Sequence, residues 1–391
     1  MKSQNSQRLV SPTAQAIDDA SMQRHFGGGR DLLALWIAEP YIEVAPPVAK
    51  AMRHRADMDW FGYETRPDAL GESFWTWMDA RHGWSRGDTR TLVSPSVGTS
   101  IGTLIEVVTQ PGDGVIIQPP VFTDFKPLVT SGGRNAIRNP LGLSGDGYQF
   151  DLDGLESKAI DASTTALILC NPHNPVGRVW TAPELTDIAR ICARHDVFVI
   201  ADEIHADLTL EPHRFTPFAT VATEADVRWA ALHGPIKTFG LAGVCDTLVI
   251  TDSDDLADRF EAVSSRLHLT RNNVFSLAAA HAAYTEAADW VDDLLELTAT
   301  NAAMLRDRLP APVRLIDLQG TYLAWLDLRG LGMEVPELAT WLAESARLAL
   351  SPGHWFGREG AGFARMTVAA PTEQIEDAIT RLHHAVDGIV A

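Results

Sequence analysis

Lys237, in the stretch HGPIKTFGLAG (233–243), is one of only five lysines in 391 residues, the others being Lys2, Lys50, Lys126 and Lys158. Lysine and arginine together number 32, so arginine fills nearly every place that needs a permanent cation. A lysine kept among glycines suits another need, an amine that sheds its proton and attacks a carbonyl. Asp202 ends the run VFVIAD and is followed closely by His205. Asn174 lies in NPHNPVG (171–177), where two Asn-Pro pairs impose a non-helical turn. In LVSPSVGTS (92–100) small residues open a helix whose free N–H groups suit a phosphate.

Each of these features has a plain structural reading. Asn-Pro turns are common, an acid after a strand often caps the next element, and SxxGTS is an ordinary helix start. In combination they ask for more. A phosphate cradle, an amide, a carboxylate and an isolated amine are the parts that hold pyridoxal 5′-phosphate (PLP). The amine forms a Schiff base with the aldehyde, and the carboxylate keeps the pyridine nitrogen protonated so that the ring draws electrons from Cα. The amide tunes the ring hydroxylate.

These parts need a scaffold that brings them to one edge. DGVIIQP, TTALILC, DVFVIAD and DTLVITD are short, β-branched and bounded by turn residues, which predicts buried strands. Between them, residues 182–195 and 253–267 have helical periodicity, the second with an acidic first turn. Strands alternating with helices predict a mostly parallel α/β sheet, with ligands collecting at the strands' carboxyl ends. After residue 285 the texture changes to a long helix, the alternating strand GTYLAWLDLRG, the helix PELATWLAESAR, the strand GFARMTVAA and a last helix from Thr372. The expected organisation is an N-terminal arm over 1–45 packing on the small domain, a large domain over 46–285 and a small α+β domain over 286–391.

Composition narrows the classes. Hydrophobic residues make up 46% and charged residues 21%, as in globular proteins. A formal charge of −19 argues against nucleic acid or an anionic membrane as partner. Apolar runs are too short to span a bilayer, and the polar N-terminus lacks an export core, so a cytoplasmic protein is expected. The 13 histidines include no HExxH, and no metal site is expected; Cys170, Cys192 and Cys245 lack CxxC spacing and read as buried, reduced thiols. No fixed-period repeat is present.

NPHNPVGRVW, ADEIHADL, KTFGLAG and GTYLAWLDLR carry a resemblance that runs from about Leu35 to Ala370. The chain resembles the fold-type I PLP enzymes of the class I/II aminotransferase superfamily, in particular the cystathionine β-lyase-like C–S lyases of the MalY/PatB type. The resemblance implies a large domain with a mostly parallel seven-stranded sheet between helices, plus a smaller C-terminal domain. It makes Lys237 the Schiff-base lysine and Cα proton carrier, pairs Asp202 with the pyridinium, and puts Asn174 on the ring oxygen with His205 near it. Val97, Gly98 and Thr99 would hold the phosphate and Phe122 would stack on the ring. Tyr63 would reach the phosphate of a neighbouring subunit, implying a homodimer with shared sites. Arg365 would clamp the substrate α-carboxylate with its planar fork; an otherwise apolar strand disfavours a surface ion pair for it.

Five departures from that family stand out. Gly234 and Ile236 replace the serines of its Ser-x-Ser-Lys pattern, which shifts phosphate binding toward residues 96–100. Phe122 replaces a tyrosine. WIAEPYIEV (36–44) replaces an Ala-Asp-Met-Asp segment and puts Glu39, Pro40 and Tyr41 beside the substrate. Gly240 and Thr367 replace asparagines. The cofactor set survives while the substrate shell has changed, which points to a bulky cysteine S-conjugate; the chain is similar in this to secondary-metabolism enzymes such as those of lincosamide antibiotic pathways.

The leading expectation is α,β-elimination of a cysteine S-conjugate, giving a thiol, ammonia and an oxoacid. Decarboxylation-coupled oxidative deamination of a similar conjugate is the alternative, because Phe122 takes a hydroxyl away from the ring. Transamination comes next. A cofactor-bearing binding protein is a fourth class, with no DNA-binding segment to support it.

Overall fold

In the computed structural model, which describes residues 11, 13–28, 31–145 and 147–390, seven strands form one sheet. They are β1 (Arg90–Ser94), β2 (Gly114–Ile117), β3 (Asn135–Arg138), β4 (Thr164–Cys170), β5 (Phe198–Asp202), β6 (Trp229–His233) and β7 (Thr247–Thr251). Their order across the sheet is β1-β7-β6-β5-β4-β2-β3. Only β7 runs against its neighbours, being antiparallel to both β1 and β6. The carboxyl ends of β1, β2, β4, β5 and β6 therefore share one edge. Every residue of β5, β6 and β7 is buried, without the alternation of a half-exposed sheet, because helices cover both faces.

Local signals place those helices. Thr181 and Glu184 form a reciprocal capping box at the start of the helix Ala182–Arg194. Ser253 caps Asp254–Arg266, whose first turn carries Asp254 and Asp255 against the positive end of the helix dipole. Register then fixes the site's layout, with Cys170 facing Asp202 and Asp202 facing Leu232 across adjacent strands.

A second, antiparallel sheet is built from Arg314–Leu315, Leu323–Asp327, Phe363–Thr367 and Ser351–Pro352 in that order. The helices Ala288–Arg308, Val335–Glu344 and Thr372–Val390 accompany it in sequence. Its core includes Trp325 stacked on Phe363 with ring centres 5.2 Å apart. The N-terminal segment joins this part of the molecule: Leu33–Ala34 pairs in parallel with Leu348–Ala349, and Trp36 packs with Met22 and Ala349. Residues 1–10 of the expected arm lie outside the described residues. The helix Pro46–Ala56 instead packs against Val274–Glu286.

All three cysteines are buried and unpaired. Among the described residues no helix is long and apolar enough to cross a membrane, and no group of three or more His, Cys, Asp or Glu could hold a metal ion.

Candidate active site

Lys237 sits in the one-turn helix Pro235–Thr238 immediately after β6, with part of its surface open. Its Nζ donates to the carbonyl oxygen of Ala38 at 2.9 Å. The Tyr322 hydroxyl donates to the same carbonyl at 3.3 Å and to the Lys237 carbonyl at 3.4 Å. Burial, with the nearby Arg365 charge, lowers the amine pKa to about 8, against opposing pulls from Glu39 and Asp202. An amine in that range is neutral often enough near pH 7 to act as a nucleophile or base.

Asp202 closes β5 and is 4% exposed. Its carboxylate accepts one weak hydrogen bond, from the Ile204 amide at 3.3 Å. Burial lifts its pKa to about 7, and the Ile204 amide and Lys237 charge pull the other way. Acid and amine are thus both pushed toward their neutral forms by desolvation, although each favours the other's charge. His205 is buried beside them; its Nδ1 has no partner, and burial drives its pKa well down. Its ring meets Tyr322 edge-on at 6.1 Å.

Arg365 projects from the strand Phe363–Thr367 and is 7% exposed. Nη1 donates to the Asn174 side-chain oxygen at 3.0 Å, and Nη2 to the Trp36 carbonyl at 2.9 Å and to Ser351 Oγ at 3.3 Å. The guanidinium lies 4.8 Å above the Phe356 ring, and burial brings its pKa down to about 10. A buried cation held only by neutral acceptors is a built receptor for an anion. Asn174, at the turn after β4, spends its oxygen on Arg365 and keeps its amide to donate elsewhere.

The substituted segment crosses this site. Trp36 and Ala38 offer carbonyls to Arg365 and Lys237, Thr367 Oγ1 donates to the Glu39 carbonyl at 3.5 Å, and the Tyr41 amide donates to Ala369 at 2.7 Å. Gly240 has φ +68°, and a side chain added there would lie 3.5 Å from the Pro40 ring. That left-handed backbone suits glycine or asparagine. Three departures read separately in the sequence, at 36–44, 240 and 367, are therefore one patch in space. Glu39 is half-buried there, its pKa raised by burial and pulled back by Lys237. Tyr41 is buried, its hydroxyl accepts from the Ile37 amide at 3.3 Å, and burial with the Glu39 charge pushes its phenol pKa upward.

The turn after β1 departs from expectation in one atom. Ser96 caps the helix Val97–Val108 and its Oγ accepts the Thr99 amide at 3.1 Å. Thr99's amide is thereby occupied, which leaves those of Val97 and Gly98, without intrahelical acceptors, as donors. Phe122 is partly buried with its ring edge-on to Phe125 at 5.6 Å. A side chain on Gly234 would come within 3.1 Å of the Asp246 carbonyl, so the position is tight for the serine it replaces.

Tyr63 is not brought to Lys237 within the chain. It is 81% exposed, lies under the Arg271 guanidinium at 5.0 Å, and lines a surface cavity of about 270 Å³ with Glu64, His268, Thr270 and Asn272. Sequence reasoning missed Tyr322 and Ser351. GTYLAWLDLR marked the strand that follows Tyr322 but nothing in it singled out the phenol, and Ser351 carries no local signal.

Residues 30–382 match the family described as aminotransferase class I and II. Cystathionine β-lyase PatB of Bacillus subtilis is 34% identical over 365 residues, covering 92% of this chain and 94% of PatB. The protein MalY of Escherichia coli is 31% identical over 93% of each chain. The crystal structure of cystalysin from Treponema denticola, which contains a pyridoxal 5′-phosphate cofactor, has a TM-score of 0.92 at 26% identity, covering 98% of this chain and 99% of that one. The seven-stranded sheet with its helices is the fold-type I architecture. With the match spanning nearly all the described residues and relatives above 30% identity, the chain belongs to the aminotransferase class I and II family.

Proposed function

We propose that the protein is a PLP-dependent C–S β-lyase that cleaves a cysteine S-conjugate by α,β-elimination. The observation that carries this reading is the convergence of Lys237, in the turn after β6, Asp202, at the end of β5, and Arg365, on a strand of the second sheet, on one site. The names and cofactor of the relatives support it.

The residues present fit the cofactor. Asp202 is a buried carboxyl with a single weak hydrogen bond, the partner a pyridine N–H needs. His205 Nδ1 is an orphaned buried atom, and the Val97 and Gly98 amides are uncommitted at a helix start. Asn174 would donate its amide to the ring oxygen, and Phe122 would supply an apolar face to the ring. When bound, PLP supplies an electron sink for charge developing at the substrate Cα.

The chain's own groups do the rest. Arg365 exchanges its neutral acceptors for the substrate α-carboxylate and so orients Cα toward Lys237. The Lys237 amine takes the Cα proton, the Cβ–S bond breaks, and sulfur leaves with the bonding pair as thiolate. Glu39 and Tyr41, on the altered segment, face the sulfur substituent and set which conjugate is accepted. Incubation with a panel of S-substituted cysteines should release free thiol, ammonia and pyruvate equally with and without air. Absence of thiol from every conjugate overturns the proposal.

One observation favours a second reading. Phe122 carries no hydroxyl, and the Tyr322 hydroxyl already donates to the Ala38 carbonyl, so two phenol positions offer the ring no free proton donor. Decarboxylation-coupled oxidative deamination, with dioxygen as oxidant, would show as carbon dioxide release and oxygen uptake in the same panel.

We also infer a cytoplasmic homodimer in which Tyr63 reaches the partner's site. Trp60, Phe61 and Tyr63 are 56%, 58% and 81% exposed on one segment, an apolar surface that a second copy would cover.

A further inference from the structure

One buried carboxylate that takes no part in the chemistry above touches the residue next to the amine. Asp207 lies in the turn that leaves Asp202, where Ala206 and Leu208 donate their amides to Glu203 and His205 at 2.9 Å. Its Oδ2 accepts from Thr238 Oγ1 at 2.8 Å, and Oδ1 accepts from Trp77 Nε1 at 2.9 Å and meets His82 Nε2 at 2.7 Å. The Asp207 and His82 side chains are 8% and 9% exposed, and Thr238 is 1% exposed. One anion thus joins three segments: the turn bearing Asp202 and His205, the turn bearing Lys237, and the helix Asp68–His82.

We propose that Asp207 is a positioning residue for Lys237, acting through the Thr238 hydroxyl and anchored by Trp77 and His82. The inference rests on the lyase reading for its catalytic consequence, though not for its geometry. Thr238 is the last residue of the one-turn helix that carries the amine. The Tyr322 hydroxyl lies 3.4 Å from the Lys237 carbonyl, which gives the same turn a second side-chain contact. With the Asp207 contact in place the turn is tied through Thr238 as well as through the Lys237 carbonyl, which fixes the backbone from which the amine projects.

Anchoring suits an anion. Burial pushes the Asp207 carboxyl up, but the hydrogen bonds from His82, Trp77 and Thr238 outweigh it and keep the group ionised, which strengthens each bond it accepts. The neighbouring pair Glu203–His233 shows the contrast: its remaining contact goes to the Phe218 amide, away from the amine.

The test uses the PLP-loaded enzyme and two substitutions at Thr238. Thr238→Val keeps the shape and removes the hydroxyl, whereas Thr238→Ser keeps the hydroxyl. Thr238→Val should lower kcat for thiol release by about tenfold with KM within about twofold, as expected when a reacting group is misplaced. It should also move the pH midpoint of the bound cofactor's visible absorbance, and Thr238→Ser should restore both. If Thr238→Val does not fold, Asp207→Asn carries the same readouts. Unchanged kcat and midpoint in Thr238→Val, or equal losses in the serine and valine variants, would overturn the proposal. If the wild type releases no thiol, the lyase reading fails, while the absorbance midpoint still reports whether Asp207 positions the amine.

Discussion

The Nζ of Lys237 is hydrogen-bonded at 2.9 Å to the carbonyl oxygen of Ala38, a residue 199 positions earlier in the chain. The contact gives a scarce lysine a neutral acceptor in a largely dry site. A neutral carbonyl offsets less of the desolvation cost of an ammonium than a carboxylate would, and the amine pKa falls to about 8. Attack on an aldehyde requires the deprotonated amine. Capture of PLP by cofactor-free protein should therefore speed up about tenfold per pH unit below pH 8 and level off above it. Stopped-flow absorbance gives the rate; one that keeps climbing to pH 10 would mean an unperturbed lysine.

The same shift predicts a stability change. Below pH 8 the amine is charged in both folded and unfolded chains, and the folded state carries the full penalty of burying it. Between pH 8 and 10.5 the folded amine has released its proton while the unfolded one still holds it, so stability rises with pH across that window. Cofactor-free Lys237→Met should melt above the wild type at pH 7, with the gap closing as pH climbs from 8 toward 10.5. Asp202 has the opposite sign: held up to about 7, it contributes stability below its ordinary value of 3.8 and loses it as pH rises through 7. Scans started at pH 7.5 isolate the lysine.

Arg365 reaches three acceptors with two nitrogens, geometry that a lysine's point charge does not reproduce. Arg365→Lys should raise KM for a cysteine S-conjugate by roughly tenfold to a hundredfold, the worth of one or two charge-assisted hydrogen bonds. Initial-rate kinetics check it. An unchanged KM would remove Arg365 from carboxylate binding.

The inferred homodimer with shared sites makes a mixing prediction. Lys237→Ala and Tyr63→Ala variants should each be nearly inactive alone. Unfolded together and refolded at equal ratio, they should recover about a quarter of wild-type thiol release, since half the dimers are hybrids and each hybrid has one intact site. No recovery, with hybrids present by native mass spectrometry, would mean that Tyr63 does not complete the partner's site.

Glu203 and His233 are completely buried in effect, with side chains 0% and 2% exposed, and joined at 2.8 Å. His233→Ala strips a partner from a buried acid and should destabilise the fold by roughly 3 kcal/mol in urea unfolding, the cost of breaking a buried pair. A loss under about 0.5 kcal/mol, the size of a surface change, would show the acid to be satisfied by Phe218 alone.

Lys237, Asp202 and Asn174 could be named from residue type and place alone, whereas Arg365, in mid-strand, was named only through the family resemblance. Strand periodicity, turn residues and strand ends are local properties of the chain, and a charged or amide group at a strand end announces itself within a few positions. Four strands of the large sheet followed from the same local patterns, and the count of seven from the family resemblance. What folding alone decided lies between residues far apart or in atoms without identity in the sequence. The carbonyls of Trp36 and Ala38 became acceptors for Arg365 and Lys237, and every residue has a carbonyl. Ser96 claimed the Thr99 amide through cap geometry. The altered segment at 36–44, Gly240 and Thr367 became one patch only when the N-terminal strand and the C-terminal sheet met over the site. Hydrogen bonds and desolvation depend on ångström distances across hundreds of residues, and chain order carries no record of those distances until packing sets them.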